Sequence, residues 1–115
     1  FRSNKLLKVL DGIILDVCVD LRKKSPSFLK VFKKVLNSSN HQYLFIPRGI
    51  AHGFLVKSTT AKISYLVDKP YSYENQNGLI FNDKHLNINW NINEKNIILS
   101  KKDKELKNLK ELNLI

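Results

Sequence analysis

An all-β sandwich or jelly roll is the fold class this sequence predicts, and three observations carry it. Short segments with apolar side chains at every second position recur between residues 5 and 67. Clusters of Gly, Pro, Ser, Asn and Asp separate them at near-regular spacing, as in a chain that keeps reversing direction. Only the tail changes to a helical period. At 115 residues, with 43% apolar and 26% charged side chains, the chain is expected to form one domain over residues 1–115 with a core of its own.

Residues 5–9 are a short apolar strand, and Asp11 and Gly12 form a hairpin-turn dipeptide. Residues 13–21 then alternate, with Leu15, Val17, Val19 and Leu21 on one side and Asp16, Cys18 and Asp20 on the other. That period of two predicts a half-buried strand whose polar side faces either solvent or a cavity. Ser25, Pro26 and Ser27 break the chain. Residues 28–36 fit a helical stripe through Phe28, Val31, Phe32 and Val35, but their aromatic and β-branched content favours a strand. Asn37 to Asn40 is a loop, residues 42–46, 52–56 and 62–67 are strands, and Ile63 and Tyr65 share a face of the last. Residues 70–78 form a polar loop carrying Tyr71 and Tyr73, and residues 79–81 and 86–90 flank Asn82 and Asp83 as a final pair of short strands. Ser100 is a good N-cap, Asp103 takes the third helical position as in a capping box, and Leu106, Leu109 and Leu112 follow. A short amphipathic C-terminal helix packed on the barrel is the expectation.

The formal net charge of +10 comes from 20 basic residues, all but Arg2, Arg22 and Arg48 being lysine, against 10 acidic ones. Such a balance suits a polyanion, either nucleic acid or a phosphorylated metabolite. No aromatic residues are interleaved with the lysines of the tail, which are most simply a solvated face, so nucleic acid is not the expected partner. The longest apolar stretch near the start, 12–15, is broken by Asp16, and Phe1 and Arg2 do not resemble a signal peptide. No membrane association and a cytoplasmic location are therefore expected. Cys18 is the one cysteine and has no histidine near it in the sequence, which favours a small packed residue over a nucleophile.

The stretch from Ile46 to Val56 is where chemistry is sought first. Pro47 fixes its own φ and Gly49 tolerates positive φ, so Pro47 to Gly49 reads as a tight turn that delivers His52 into an apolar strand. Gly53 removes a side chain next to it, which lets another group approach the backbone. A core histidine at a strand entrance is the plainer alternative.

Several segments in order carry a resemblance. They are Asn4 to Val9; Asp16, Val17, Cys18, Val19, Asp20, Leu21 and Arg22; Ser25 to Phe28; Ile46 to Phe54; Phe81, Asn82 and Asp83; Ile88, Asn89 and Trp90; and Leu99 to Asp103. Together, over almost the whole chain, they resemble the dTDP-4-dehydrorhamnose 3,5-epimerase family. The resemblance implies a cupin-type β jelly roll, usually a homodimer, that inverts C3 and C5 of a 4-keto-6-deoxyhexose carried on thymidine diphosphate, without metal or redox cofactor. A proton beside a ketone becomes removable by a side-chain base once the enolate oxygen meets a fixed positive charge. By the same resemblance Lys5 binds substrate and stabilises the enolate oxygen, Tyr65 is the acid that reprotonates the ring, and His52 contacts substrate. Tyr71 stacks on thymine, Lys102 binds the nucleotide, Asp103 orients the base, and Asp16 helps tune Lys5 or a histidine. From spacing alone the plainer reading is favoured for each: Tyr65 a core residue, Lys5 an exposed strand end, and Lys102 and Asp103 ordinary residues of a first helical turn.

The sequence also departs from the family pattern. The family's base histidine lies in an Arg-Gly-Leu-His-aromatic segment that should end almost where this chain begins, with Phe1 as its aromatic residue; His41, His52 and His85 do not match it. The expectation is that part of the protein precedes Phe1 and that these residues alone are nearly inactive. Gln76 stands where the family has an acidic residue after the stacking tyrosine, which bears on substrate binding. A related keto-sugar epimerase or ketoisomerase, and a shortened cupin that binds nucleotide sugar without catalysis, are the alternatives.

Overall fold

The computed structural model describes residues 3–68, 79–92 and 106–115. Six strands appear in it: β1 (Lys5–Asp11), β2 (Ile13–Asp20), β3 (Val31–Asn37), β4 (Tyr43–Ile46), β5 (Ile50–Val56) and β6 (Lys62–Val67). They form two antiparallel three-stranded sheets, ordered β4-β1-β6 and β3-β2-β5. This is the all-β jelly-roll class that the alternation predicts.

The connections differ from the sequence reading. Asp11 and Gly12 do not close a hairpin, because β1 and β2 belong to different sheets. Gly12, at φ +90°, instead turns a corner against Ser58 and Thr60, where a side chain would have no room. Gly49, at φ +86°, makes the second corner, with the Ile50 amide donating to the Pro47 carbonyl at 3.3 Å. The turn stands as predicted, yet β4 and β5 leave it for opposite sheets. Backbone conformation alone dictates a sharp turn; partner strands decide whether it joins a ladder or a corner.

Strand β2 is buried on both faces, not half-buried. Ile14 and Cys18 look across the sandwich into a core with Leu7, Val9, Leu36 and Ile46. Val19 and Leu21, on the opposite face, pack with Ala51 and Leu109, and Leu79, Leu86, Ile88 and Leu114 close over them. Segments from the C-terminal third therefore make a third layer over β3-β2-β5. Lys23 and Lys33 donate to the carbonyls of Asn113 and Asn89, each at 2.9 Å, and tie that layer down.

That layer is not built as the sequence suggests. Residues 79–81 and 86–90 are not a strand pair; Leu79 makes only an isolated parallel bridge to Lys107. The buried Asp83 takes over the backbone instead, its carboxylate accepting from His85 N (2.8 Å), Leu86 N (3.1 Å) and Leu109 N (2.7 Å). A side chain that satisfies three amides competes with a ladder. Residues 106–115 form a turn and not the expected helix, with Asn113 at φ +60° and Leu109 fully buried. Ser100 and Asp103, the expected cap, lie outside the described residues. Strand β3 begins at Val31, later than predicted, because residues 25–30 curl around Asp20.

Candidate functional site

Strand pairing brings the candidate residues together. Cys18 and His52 are directly opposed on β2 and β5, as are Asp16 and Phe54. Alternation on β2 places Asp16 and Cys18 on the face that looks into the sandwich. The Asp16 carboxylate is only 1% exposed. Its Oδ2 lies 2.5 Å from His52 Nε2, and its Oδ1 accepts from the Cys18 thiol at 3.3 Å.

The opposing sheet supplies the tyrosine and the lysine. The Tyr65 ring lies edge-on to the His52 imidazole with centroids 6.1 Å apart, and the Phe54 ring is tilted beside the same imidazole at 6.2 Å. Leu7 of β1 faces Tyr65 of β6, and Lys5 faces Val67. Lys5 therefore occupies the same inward face as Tyr65, at the diagonal position of the ladder. Asn4 anchors this end of β1: its side chain accepts from Arg48 N at 2.8 Å and donates to Asp68 at 2.7 Å. Tyr65 is 42% exposed, and Phe32 and Phe54, also at inward positions, stay open to solvent. The result is a site partly open to solvent with a buried acid at its base.

Burial, and then the negative charge of Asp16, push the Tyr65 phenol up to about 12. The same two causes, with the hydrogen bond to Asp16, push the Cys18 thiol to about 12. Both groups keep their protons at neutral pH, so the site holds a neutral phenol able to donate and a thiol too poor in thiolate to attack. The sequence places no histidine near Cys18, but pairing sets His52 opposite it. What argues against nucleophilic chemistry is this electrostatic setting.

A second acid on the same face of β2 has a different setting. Asp20, fully buried, accepts from Arg22 Nε, Arg22 Nη2 and Arg22 N at 3.0, 3.0 and 2.9 Å, and from the Ser27 hydroxyl. The Arg22 guanidinium, before all other partners, holds the Asp20 carboxyl well below the usual carboxylate range. The Arg22 chain crosses Gly49, where a Cβ would lie 2.5 Å from Arg22 Cγ. Gly53 likewise admits a neighbour, Trp90, whose ring comes within 3.4 Å of the place a Cβ would take. That approach is on the face of the sheet away from Asp16 and Cys18.

Lys5, His52, Tyr65 and Asp16 thus share one region. Tyr71, Gln76, Lys102 and Asp103 lie outside the described residues. The sequence reading missed Phe54 as a wall of the site and Cys18 as a donor to Asp16. Their positions two residues from His52 and Asp16 on the same strand faces were the available signal. A depression of about 280 Å³ lined by Asn82, Asp83, Lys84, Asn87 and Ile88 contains none of these groups.

The comparisons with known proteins point one way. A family model described as dTDP-4-dehydrorhamnose 3,5-epimerase matches residues 1–111. The dTDP-4-dehydrorhamnose 3,5-epimerase of Escherichia coli K12 is 39% identical over 112 residues, which cover 97% of this chain and 60% of that protein. The crystal structure of the Elizabethkingia anophelis enzyme of the same name superposes with a TM-score of 0.91 at 41% identity, covering 96% of this chain and 61% of that one. The dTDP-6-deoxy-D-glucose-3,5-epimerase of Legionella pneumophila, solved in complex with dTDP-4-keto-L-rhamnose, superposes with a TM-score of 0.88 at 35% identity, covering 98% and 61%. The chain spans about 60% of the length of the relatives it matches.

Proposed function

The chain belongs to the dTDP-4-dehydrorhamnose 3,5-epimerase family, and on that premise we propose that the protein inverts C3 and C5 of a dTDP-linked 4-keto-6-deoxyhexose through an enolate. One observation supports this most: a protonated phenol, Tyr65, partly open to solvent, stands on the same inward face of its sheet as Lys5 and edge-on to the His52 ring of the Asp16–His52 pair. Removing a proton next to a ketone leaves negative charge on the carbonyl oxygen, and the Lys5 ammonium meets that charge as it develops. Tyr65 then returns a proton to the ring. Its raised pKa suits the task, because a phenol that ionised near neutrality would arrive without a proton to give.

His52, held by Asp16, contacts the sugar and keeps a fixed orientation as it does so. Tyr71 stacks on thymine, Lys102 binds the diphosphate end, Gln76 lines the same loop, and Asp103 orients the base. No counterpart of the family's base histidine stands at His41, His52 or His85, so these 115 residues alone should exchange substrate protons slowly. The working unit is a cytoplasmic homodimer needing no metal or redox cofactor, and a sedimentation measurement checks its oligomeric state.

Deuterium uptake from heavy water into dTDP-4-keto-6-deoxyglucose tests the proposal and resolves the two carbons by NMR. The complete protein should label both C3 and C5, and Tyr65→Phe should slow turnover by about 100- to 10,000-fold while nucleotide-sugar binding persists. Saturable binding with no label at either carbon would overturn the epimerase reading in favour of a binding protein. Label at one carbon alone would make it a single-site epimerase.

A further inference from the structure

Among the described residues Asp16 has two side-chain partners, one on each oxygen, and one of them belongs to the reaction proposed above. Oδ2 meets His52 at 2.5 Å. The other oxygen, Oδ1, receives the Cys18 thiol at 3.3 Å, within the range of a hydrogen bond to sulfur. Cys18 lies two residues from Asp16 on the same face of β2 and directly opposite His52 on β5, so Asp16 reaches His52 along the diagonal of the ladder with Cys18 beside both. A carboxylate on a short side chain turns readily about its last bond, since that torsion is broad and nearly two-fold. Fixing it takes a donor on each oxygen.

We infer that Cys18 is a positioning residue: its thiol, by donating to Oδ1, holds the Asp16 carboxylate at the rotation that presents Oδ2 to His52. This rests on the epimerase reading for its consequence in catalysis and on geometry alone for the hydrogen bond. The thiol is the donor in this contact and Asp16 Oδ1 the acceptor. Burial and the neighbouring charge keep that hydrogen on sulfur. Reactivity is suppressed by the same setting, so Cys18 acts as a weak, permanent hydrogen-bond donor and not as a redox or nucleophilic group. Alanine at this position would leave Oδ1 without its donor and the carboxylate free to turn. Serine would keep a donor.

Two measurements on the complete protein decide the matter. The first is the infrared S–H stretching band of the unliganded protein, with Cys18→Ala as the blank. Donation to a carboxylate should place the band below the frequency of a free thiol, and Asp16→Ala should return it to the free position. The second compares Cys18→Ala with Cys18→Ser at equal thermal stability. Alanine should lower kcat for substrate proton exchange by about 3- to 10-fold with KM within about twofold, and serine should restore most of that loss. A merely structural role would show up in folding and would not separate serine from alanine. An S–H band at the free position, or serine and alanine variants that behave alike, overturns the inference. If the unaltered protein exchanges no protons, the epimerase reading fails while the infrared band still decides whether the thiol holds Asp16.

Discussion

Asp16 and Asp20 lie four residues apart on the same face of one strand, both buried, yet they are satisfied in opposite ways. Every partner named for Asp20 comes from within seven residues along the chain: Arg22, Ser25 and Ser27. Asp16 shares Cys18 with its own strand but takes His52, whose side chain is itself buried, from 36 positions away across the sheet. A carboxylate paired with a permanently charged, half-exposed guanidinium and local hydroxyls is a clamp for a loop. One paired with a buried imidazole that lies beside a partly exposed tyrosine can hold that imidazole against a ligand. The lesson is that burial of an acid does not announce its task; the chemistry of its partner and the groups that partner lies beside do.

Removing each carboxylate should separate the two most sharply. Asp20→Ala leaves the Arg22 amide and the Ser27 hydroxyl without their acceptor while the exposed guanidinium turns to solvent, and should cost about 2–4 kcal/mol of stability by urea denaturation. Asp16→Ala should cost less, about 1–3 kcal/mol, because an imidazole deprived of its carboxylate can persist as a neutral ring. Its effect should fall on catalysis instead, slowing substrate proton exchange on the order of 100-fold through a misplaced His52. Equal stability losses for the two variants would break the distinction.

Acid sharpens it next. The folded-state pKa of Asp20 is lowered by Arg22, so Asp20 contributes its full stabilisation above the unfolded-state value of about 4 and loses it as pH falls below that toward the folded value. Denaturation midpoints taken downward from about pH 5 should decline, and in Asp20→Asn that decline should be shallower.

The glycines beside these acids give the smaller effects. Gly49→Ala puts a Cβ at φ +86° into the Arg22 side chain that Asp20 holds, and should cost about 1–2 kcal/mol in thermal or urea unfolding. Gly53→Ala, on the His52 strand, meets only the Trp90 ring at 3.4 Å with no positive φ. Its effect should stay within about 0.5 kcal/mol. A large loss there would mean that the Trp90 layer governs the position of His52.

Much of the site was legible because the strand period is two. Alternation alone puts Asp16 and Cys18 on one side of a strand, and the turn at Pro47 to Gly49 delivers His52 to the start of the next, as the structure has it. The resemblance singled out Lys5 and Tyr65, and the ladder puts them on one inward face. The resemblance offered Asp16 either Lys5 or a histidine, and the choice of His52 was not legible, since it depends on the register between β2 and β5. Nor was the role of Asp83, because a side chain that captures three amides leaves no periodic trace in a sequence.

By itself, the sequence determined most of the extended segments between residues 5 and 67 and where the chain must bend, because period-two alternation, proline and positive-φ glycine act within a few residues. Tertiary structure alone decided that the bends at Gly12 and Gly49 are corners between sheets, that both faces of β2 are covered, that residues 79–90 are not a strand pair, and that residues 106–115 form a turn and not a helix. These outcomes follow from which distant surfaces bury one another. Burial is a property of pairs of segments, and a single segment's pattern records only that it has an apolar side to offer.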